Sequence, residues 1–259
     1  MSNEFALGPL VLAAALIAGC TEPTPVVEYE IVSSYPHDTL AYTQGLLFHE
    51  GFLYESTGQY GSSTLRKVDV PTGRVVASTP VDSAYFAEGL ALVGSELIQL
   101  TWKAGIALVY DLETLEFKRN HQYSGEGWGL CFDGESLFMS DGSSTLFERD
   151  PDTFEVRSEV AVTENGFIVP QLNELECVGD HIYANVFQSD RIVQIEKASG
   201  EVTASIDGFQ LGLLGRRPDD VGAVLNGIAY VPEAEIFLMT GKLWPNLLAV
   251  KLANELAGG

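Results

Sequence analysis

Gly125-Glu126-Gly127-Trp128-Gly129-Leu130-Cys131-Phe132, Asp133-Gly134, Leu137-Phe138-Met139-Ser140, Asp141-Gly142, Leu146-Phe147-Glu148-Arg149, Asp150-Pro151-Asp152-Thr153 and Phe154 to Val160 run in this order through the middle of the chain. Short apolar runs bounded by Gly, Asp and Pro are the mark of antiparallel strands joined by tight turns. Four strands are expected here, enough for one small sheet.

The same pattern recurs outward from this stretch. Five related openings stand at Gln44-Gly45-Leu46-Leu47-Phe48, Glu88-Gly89-Leu90-Ala91-Leu92, Trp128-Gly129-Leu130-Cys131-Phe132, Asn173-Glu174-Leu175-Glu176-Cys177 and Asn226-Gly227-Ile228-Ala229-Tyr230. Their first residues lie 44, 40, 45 and 53 positions apart. A turn and a second strand follow each, and four third strands end in an acid: Asp69, Asp111, Asp150 and Glu196. Three residues later comes Thr72, Thr114, Thr153 or Ser199, a pairing that caps its own turn. A period near 45 with four strands per copy indicates an all-β, five-bladed β-propeller of antiparallel sheets. The fifth copy stops after its third strand, Leu247 to Leu252. An alternating segment from Val26 to Val32 is expected to supply the missing fourth strand and close the ring. Residues 205–225, with Arg216-Arg217-Pro218, read as an insertion over one rim.

Met1 to Gly19 reads as a signal peptide, because its apolar run is too short to span a bilayer. Ile17-Ala18-Gly19-Cys20 resembles the lipobox of bacterial lipoproteins, with Cys20 as the lipidated residue. The segment before it lacks Lys and Arg and contains Glu4, a departure from that pattern. The expected division is a signal peptide at 1–19, a tether at 20–27, the propeller at 28–252 and a tail at 253–259. Export to the periplasm or cell envelope follows, with membrane contact only through a lipid on Cys20. Fourteen Lys and Arg against 36 Asp and Glu leave a formal charge of −22. So acidic a surface disfavours nucleic acid and anionic membranes and favours a soluble monomer. Cys131 and Cys177 could pair in an oxidising compartment, but they give no disulfide framework and no metal spacing, and two buried free thiols are the expectation.

In a propeller the residues that open each inner strand converge at one mouth of the central channel. Here they are Gln44, Glu88, Trp128, Asn173 and Asn226, joined by the ends of second strands at Glu55, Trp102-Lys103, Phe187-Gln188 and Lys242-Leu243-Trp244. One carboxylate, lysines, amides and aromatics facing one cavity point to acid–base chemistry with polar stabilisation, without cofactor or metal. No His and no metal-ligand spacing joins them.

At these residues the chain resembles the glutaminyl-peptide cyclotransferases of the plant and bacterial type. The resemblance rests on Tyr42-Thr43-Gln44-Gly45-Leu46, Glu55-Ser56-Thr57-Gly58 with Tyr60-Gly61, Phe86-Ala87-Glu88-Gly89, Leu100-Thr101-Trp102-Lys103 and Gly125 to Leu130. It continues through Leu172-Asn173-Glu174-Leu175-Glu176, Asn185-Val186 with Gln188-Ser189-Asp190, Leu225 to Ala229, and Thr240-Gly241-Lys242 with Trp244-Pro245, covering residues 28–252. It implies a five-bladed propeller that converts the N-terminal glutamine of peptides or proteins to pyroglutamate and ammonia. It also implies Glu88 as the acid–base carboxylate, and Lys242, Gln44 and Asn173 as holders of the γ-carboxamide oxygen. Trp102 and Trp128 would wall the pocket. Phe187 stands where the family commonly has Trp, which keeps an aromatic wall but loses an indole donor.

Other readings compete. Glu88 as a strut paired with Lys103 or Lys242, Asn173 as a turn residue, and the tryptophans as packing between blades are the structural alternatives. At the level of the molecule, the alternatives are a non-catalytic lipoprotein propeller that binds peptides or partners, and a calcium-dependent propeller hydrolase.

Overall fold

The period-two alternation of apolar residues becomes 22 strands and one short helix in the computed structural model, which describes residues 22–253. The expected signal peptide and Cys20 lie outside the described residues. Strand β1 (Tyr29–Pro36) comes first. Blade one is β2 (Thr43–His49), β3 (Phe52–Thr57), β4 (Thr64–Asp69) and β5 (Arg74–Pro80). Blade two is β6 (Ala87–Val93), β7 (Glu96–Thr101), β8 (Ile106–Asp111) and β9 (Phe117–Gln122). Blade three is β10 (Leu130–Phe132), β11 (Leu137–Met139), β12 (Thr145–Arg149) and β13 (Val156–Ala161). A small hairpin, β14 (Thr163–Glu164) and β15 (Phe167–Ile168), leads to blade four: β16 (Leu172–Val178), β17 (His181–Val186), β18 (Arg191–Glu196) and β19 (Val202–Asp207). Helix α1 (Phe209–Leu214) precedes β20 (Leu225–Val231), β21 (Ile236–Gly241) and β22 (Asn246–Leu252).

The strands form five four-stranded antiparallel sheets, as the repeat requires. The inner strands β2, β6, β10, β16 and β20 are successive neighbours, and β20 returns to β2. Backbones approach closely around this axis. A Cβ on Gly89 would lie 2.5 Å from Leu130 N, and one on Gly129 would lie 2.0 Å from Asn173 O, so any side chain there collides with the next blade. At the outer edge, the acid-and-Thr turns cap as the sequence suggests. Asp111 Oδ1 accepts from Thr114 N–H at 3.0 Å, and Asp150 Oδ1 from Thr153 N–H at 2.8 Å.

Alternate residues of each blade face opposite neighbours, so the core is divided among the five seams. Leu46 packs with Leu53, Val68, Ala229 and Leu238 between blades five and one, while the next residue, Leu47, packs with Leu65, Leu90 and Leu97 between blades one and two. Ile98, Leu130 and Leu137 fill the next seam, Phe138, Leu175 and Ile182 the fourth, and Ile206, Ile228, Phe237 and Trp244 the fifth. Each fully buried aliphatic side chain contributes about 1.5–3 kcal/mol. Stability is therefore spread around the ring rather than held in one centre.

Several expectations change. The N-terminal strand lies at Tyr29–Pro36, not Val26 to Val32, and pairs antiparallel with β22 from Tyr29↔Leu252 to Pro36↔Asn246. Val27 instead donates its N–H to Ser205 O of blade four at 2.7 Å, where its side chain is buried. Residues 205–207 of the expected insertion complete β19, and the remainder packs against Trp244 and pairs Arg217 with Asp190 at 2.5 Å. Cys131 and Cys177 are not free thiols but a disulfide, Cα to Cα 5.5 Å. They lie 46 residues apart, about one period, on the adjacent inner strands β10 and β16.

Glu55 belongs to the seam between blades five and one rather than to the mouth. His37 bonds Trp244 O through Nδ1 at 2.7 Å and Glu55 Oε1 through Nε2 at 3.0 Å. Thr43 Oγ1 donates to the same carboxylate at 2.7 Å, and Arg66 Nε lies 3.6 Å from its other oxygen. Burial is the largest single influence on His37 and lowers its pKa, but the Glu55 charge and the hydrogen bonds to Glu55 and Trp244 O together outweigh it and raise the value. Both ring nitrogens face acceptors, which fits a cationic imidazole. This buried network fixes the segment behind Lys242.

Candidate active site

The ends of the inner strands deliver side chains to one cavity of about 220 Å³. It is lined by Tyr42, Gln44, Gln59, Phe86, Glu88, Trp102, Trp128, Asn173, Phe187 and Lys242. Seven of the residues expected at the mouth are among them: Gln44, Glu88, Trp102, Trp128, Asn173, Phe187 and Lys242. Asn226, Glu55, Lys103, Gln188 and Trp244 are not. Asn226 is buried one layer behind, and Trp244 is fully buried with its indole N–H donating to Ala223 O at 2.9 Å.

Glu88 enters from the start of β6 and is 5% exposed. Its Oε1 accepts from Gln44 Nε2 at 3.1 Å. Gln44 is held in turn by Asn226, whose Nδ2 lies 3.3 Å from Gln44 Oε1 and donates to Thr43 O at 3.0 Å. Gln44 is thus a direct partner of the carboxylate, a contact that the sequence did not reveal. Burial raises the Glu88 pKa well above the usual carboxylate range; Lys242 opposes the shift and Glu126 adds to it.

Lys242, just after β21, is 3% exposed. Burial pushes its pKa down to about 8, against the pull of Glu88. Its Nζ sits 4.8 Å from the Tyr42 ring centroid and 5.3 Å from that of Phe187. Among the described residues, no ion pair within 4 Å includes Glu88 or Lys242. Lys103 pairs with Glu126 at 3.6 Å instead, so the strut reading of Glu88 finds no partner there.

The aromatic lining forms an arc. Tyr42 meets Phe86 edge-on at 6.2 Å, Phe86 meets Trp102 at 5.7 Å, and Trp128 meets Phe187 at 5.4 Å. The positive faces of these edges pack on π faces, the favoured arrangement for such pairs. Lys242 joins the two ends of the arc, over Phe187 and Tyr42. Asn173 carries a buried carboxamide oxygen with no partner in the protein. A polar atom left so at a cavity wall costs free energy unless a ligand or water meets it.

Tyr42, Phe86 and Gln59 were not expected in the pocket. Tyr42 and Phe86 each stand immediately before an inner strand, two residues ahead of Gln44 and Glu88. Gln59 sits in a turn and carries no such signal. Elsewhere on the axis, Glu174 accepts from Leu46 N–H at 3.2 Å and Ile228 N–H at 2.9 Å, tying blades four, one and five. Among the described residues, no group of three or more His, Cys, Asp and Glu is gathered as a metal site.

Known proteins are similar to this chain in sequence and in fold. A family model described as glutamine cyclotransferase matches residues 6–252. The glutaminyl-peptide cyclotransferase of Arabidopsis thaliana is 44% identical over 236 residues, covering 89% of this chain and 73% of that protein. The crystal structure of Myxococcus xanthus glutaminyl cyclase matches with a TM-score of 0.84 at 40% identity, covering 89% of this chain and 98% of its own.

Proposed function

This chain belongs to the glutamine cyclotransferase family and has the activity of a glutaminyl-peptide cyclotransferase, and from that premise we propose that its pocket closes N-terminal glutamine to pyroglutamate. A cavity of about 220 Å³ suits the first residue of a peptide and not its length. The α-nitrogen attacks the side-chain amide carbon, which forms the ring C–N bond. Glu88 takes a proton from that nitrogen. The bond to the side-chain nitrogen then breaks, Glu88 returns the proton to it, and ammonia leaves.

The carrying observation is one buried carboxylate whose ionisation is displaced upward, beside a buried lysine displaced downward, in one aromatic pocket. An ordinary glutamate, near 4.3, is a poor acid toward a departing amine. A raised value brings Glu88 nearer the pH at which it both accepts and donates. Lys242 supplies positive charge to the amide oxygen as it gains electron density in the transition state. Asn173 offers its carboxamide to the same substrate. Gln44 orients Glu88, and its second amide N–H is left for the substrate. Trp102, Trp128 and Phe187 hold the side chain folded toward a ring, which is proximity catalysis on an intramolecular reaction.

Ammonia release is the test, comparing dipeptides that begin with Gln and with Asn, each with and without a chelator. Turnover of the Gln peptide alone, insensitive to chelator, is expected. Binding without turnover would leave a peptide-binding propeller, and chelator sensitivity would bring a metal into the reaction.

The proposed address is the cell envelope, through a lipid on Cys20, with a monomeric propeller outside the bilayer. Its support is the Ile17-Ala18-Gly19-Cys20 pattern and the short tether after it. Among the described residues no helix is long and apolar enough to cross a membrane. Cys20→Ser should move the protein from the detergent phase to the aqueous phase; equal partitioning of both forms would refute the anchor.

A further inference from the structure

We propose that Glu126 is a positioning residue for this reaction, one carboxylate oxygen holding the indole N–H groups of both tryptophans that wall the pocket. Its Oε2 accepts from Trp102 Nε1 at 2.6 Å and from Trp128 Nε1 at 3.1 Å. These indoles come from different blades. Trp102 follows β7 of blade two, and Trp128 precedes β10 of blade three. The aromatic arc has its one gap between them, with Phe86 packed on Trp102 and Phe187 on Trp128. Glu126 bridges that gap from behind, since its own side chain does not line the cavity.

The loop is built for this contact. Gly125 has φ +88°, a left-handed turn that a residue with a side chain rarely adopts. Gly127 N–H then donates to Trp102 O at 2.9 Å, so the loop grips Trp102 by its backbone and by its indole. On the far side of Trp128, a Cβ on Gly142 would fall 2.6 Å from the ring, and its absence lets the indole lie against the backbone. Lys103 Nζ approaches the other Glu126 oxygen to 3.6 Å and covers Trp102 at 3.9 Å from a ring centroid. The carboxyl is partly buried, which pushes its pKa up, but the two indole donors and Lys103 outweigh this and hold it below the usual range. It is therefore an anion at neutral pH, and hydrogen bonds to an ionised acceptor are the strong ones. One hinge-free acceptor shared by two donors sets the angle between the indoles, and thus the shape into which the substrate folds.

The inference rests on the cyclotransferase reading of the pocket. Two variants and two readouts test it apart from that reading. Glu126→Ala removes the acceptor, and Glu126→Gln keeps an oxygen able to accept from both indoles. With a Gln-initiated dipeptide, the Ala variant should lose about tenfold or more in kcat/KM, since small misplacements of pocket groups cost up to about 100-fold. The Gln variant should recover most of that loss. Independently of activity, tryptophan emission should shift in the Ala variant and not in the Gln variant, because Trp244 is held elsewhere by Ala223 O. A folded Ala variant with unchanged kcat/KM and emission would overturn the proposal. So would a Gln variant as impaired as the Ala variant, which would assign the effect to charge. If the unmodified protein releases no ammonia, the functional reading fails, and emission alone still decides whether Glu126 holds the indoles.

Discussion

Replacing Glu88 by Gln is the perturbation that separates chemistry from architecture. The carboxylate is 5% exposed and accepts one protein hydrogen bond, from Gln44 at 3.1 Å. A Gln side chain has the same length and can turn its carbonyl oxygen to Gln44, so that bond survives. The change also removes the cost of a buried charge, so the fold should not be weakened. What disappears is the group that moves the proton, and no ordinary solvent access replaces it. General acid–base catalysis is worth about 100- to 10,000-fold, which is roughly 3–5 kcal/mol at 1.36 kcal/mol per factor of ten. Coupled-enzyme detection of ammonia from a Gln-initiated dipeptide should show kcat reduced by at least about 100-fold with KM little changed. A second consequence follows from Lys242, whose pKa near 8 is held up by Glu88. Without that charge it should fall further. Retention of more than about a third of wild-type turnover, far above what loss of a general base permits, would refute the assignment. Glu126 would then be the carboxylate to examine.

The remaining expectations concern charge and covalent closure. Lys242→Ala should lower kcat by about 100-fold or more, the scale seen when an oxyanion partner is removed. Wild-type kcat/KM, which reports groups of the free enzyme, should be bell-shaped in pH. It falls on the acid side where Glu88 gains a proton, at a pH above that of an ordinary glutamate, and on the alkaline side near 8, where Lys242 loses its charge. In Lys242→Ala the alkaline limb should vanish and the acid limb remain; an unchanged alkaline limb would remove Lys242 from the chemistry. Reducing Cys131–Cys177 opens a loop of 46 residues, which corresponds to about 4 kcal/mol by chain entropy and typically 2–4 kcal/mol in practice. The melting temperature of Cys131→Ser/Cys177→Ser should drop by about 4–16 °C at about two to four degrees per kcal/mol, and an unchanged value would show that the bridge carries no stability.

Much of the fold is legible because its signals are local. The five openings from Gln44 to Asn226 and the acid-and-Thr turns at Asp69, Asp111 and Asp150 depend on residues within a few positions of one another. The pocket is legible for the same reason, since Gln44, Glu88 and Asn173 stand at the start of an inner strand and Trp128 just before one, where each blade approaches the axis. What failed depends on side-chain direction or on distant pairing. Glu55 lies inside β3, two residues before its end, and pairs with His37 in the seam, whereas Trp102 follows the end of β7 and reaches the mouth. Cys131 and Cys177 stand one period apart, which places them on neighbouring inner strands; period and cysteine spacing had to be read together to see the bridge. Glu126 lies in a loop whose course depends on Gly125 and on a bond to Trp102 O, so no periodicity marks it. The strand at Tyr29–Pro36 was displaced because Val26 and Val27 alternate just as well but pair with blade four.

Glu88 is poised to take a proton and give it back. Its titration is followed directly by the carboxyl carbon signals of glutamate-labelled protein, with the Glu88→Gln variant identifying the resonance. A single resonance missing from the variant and titrating well above the ordinary value of about 4.3 is the predicted result. A Glu88 that titrates at or below that value could not serve as both acceptor and donor near neutral pH.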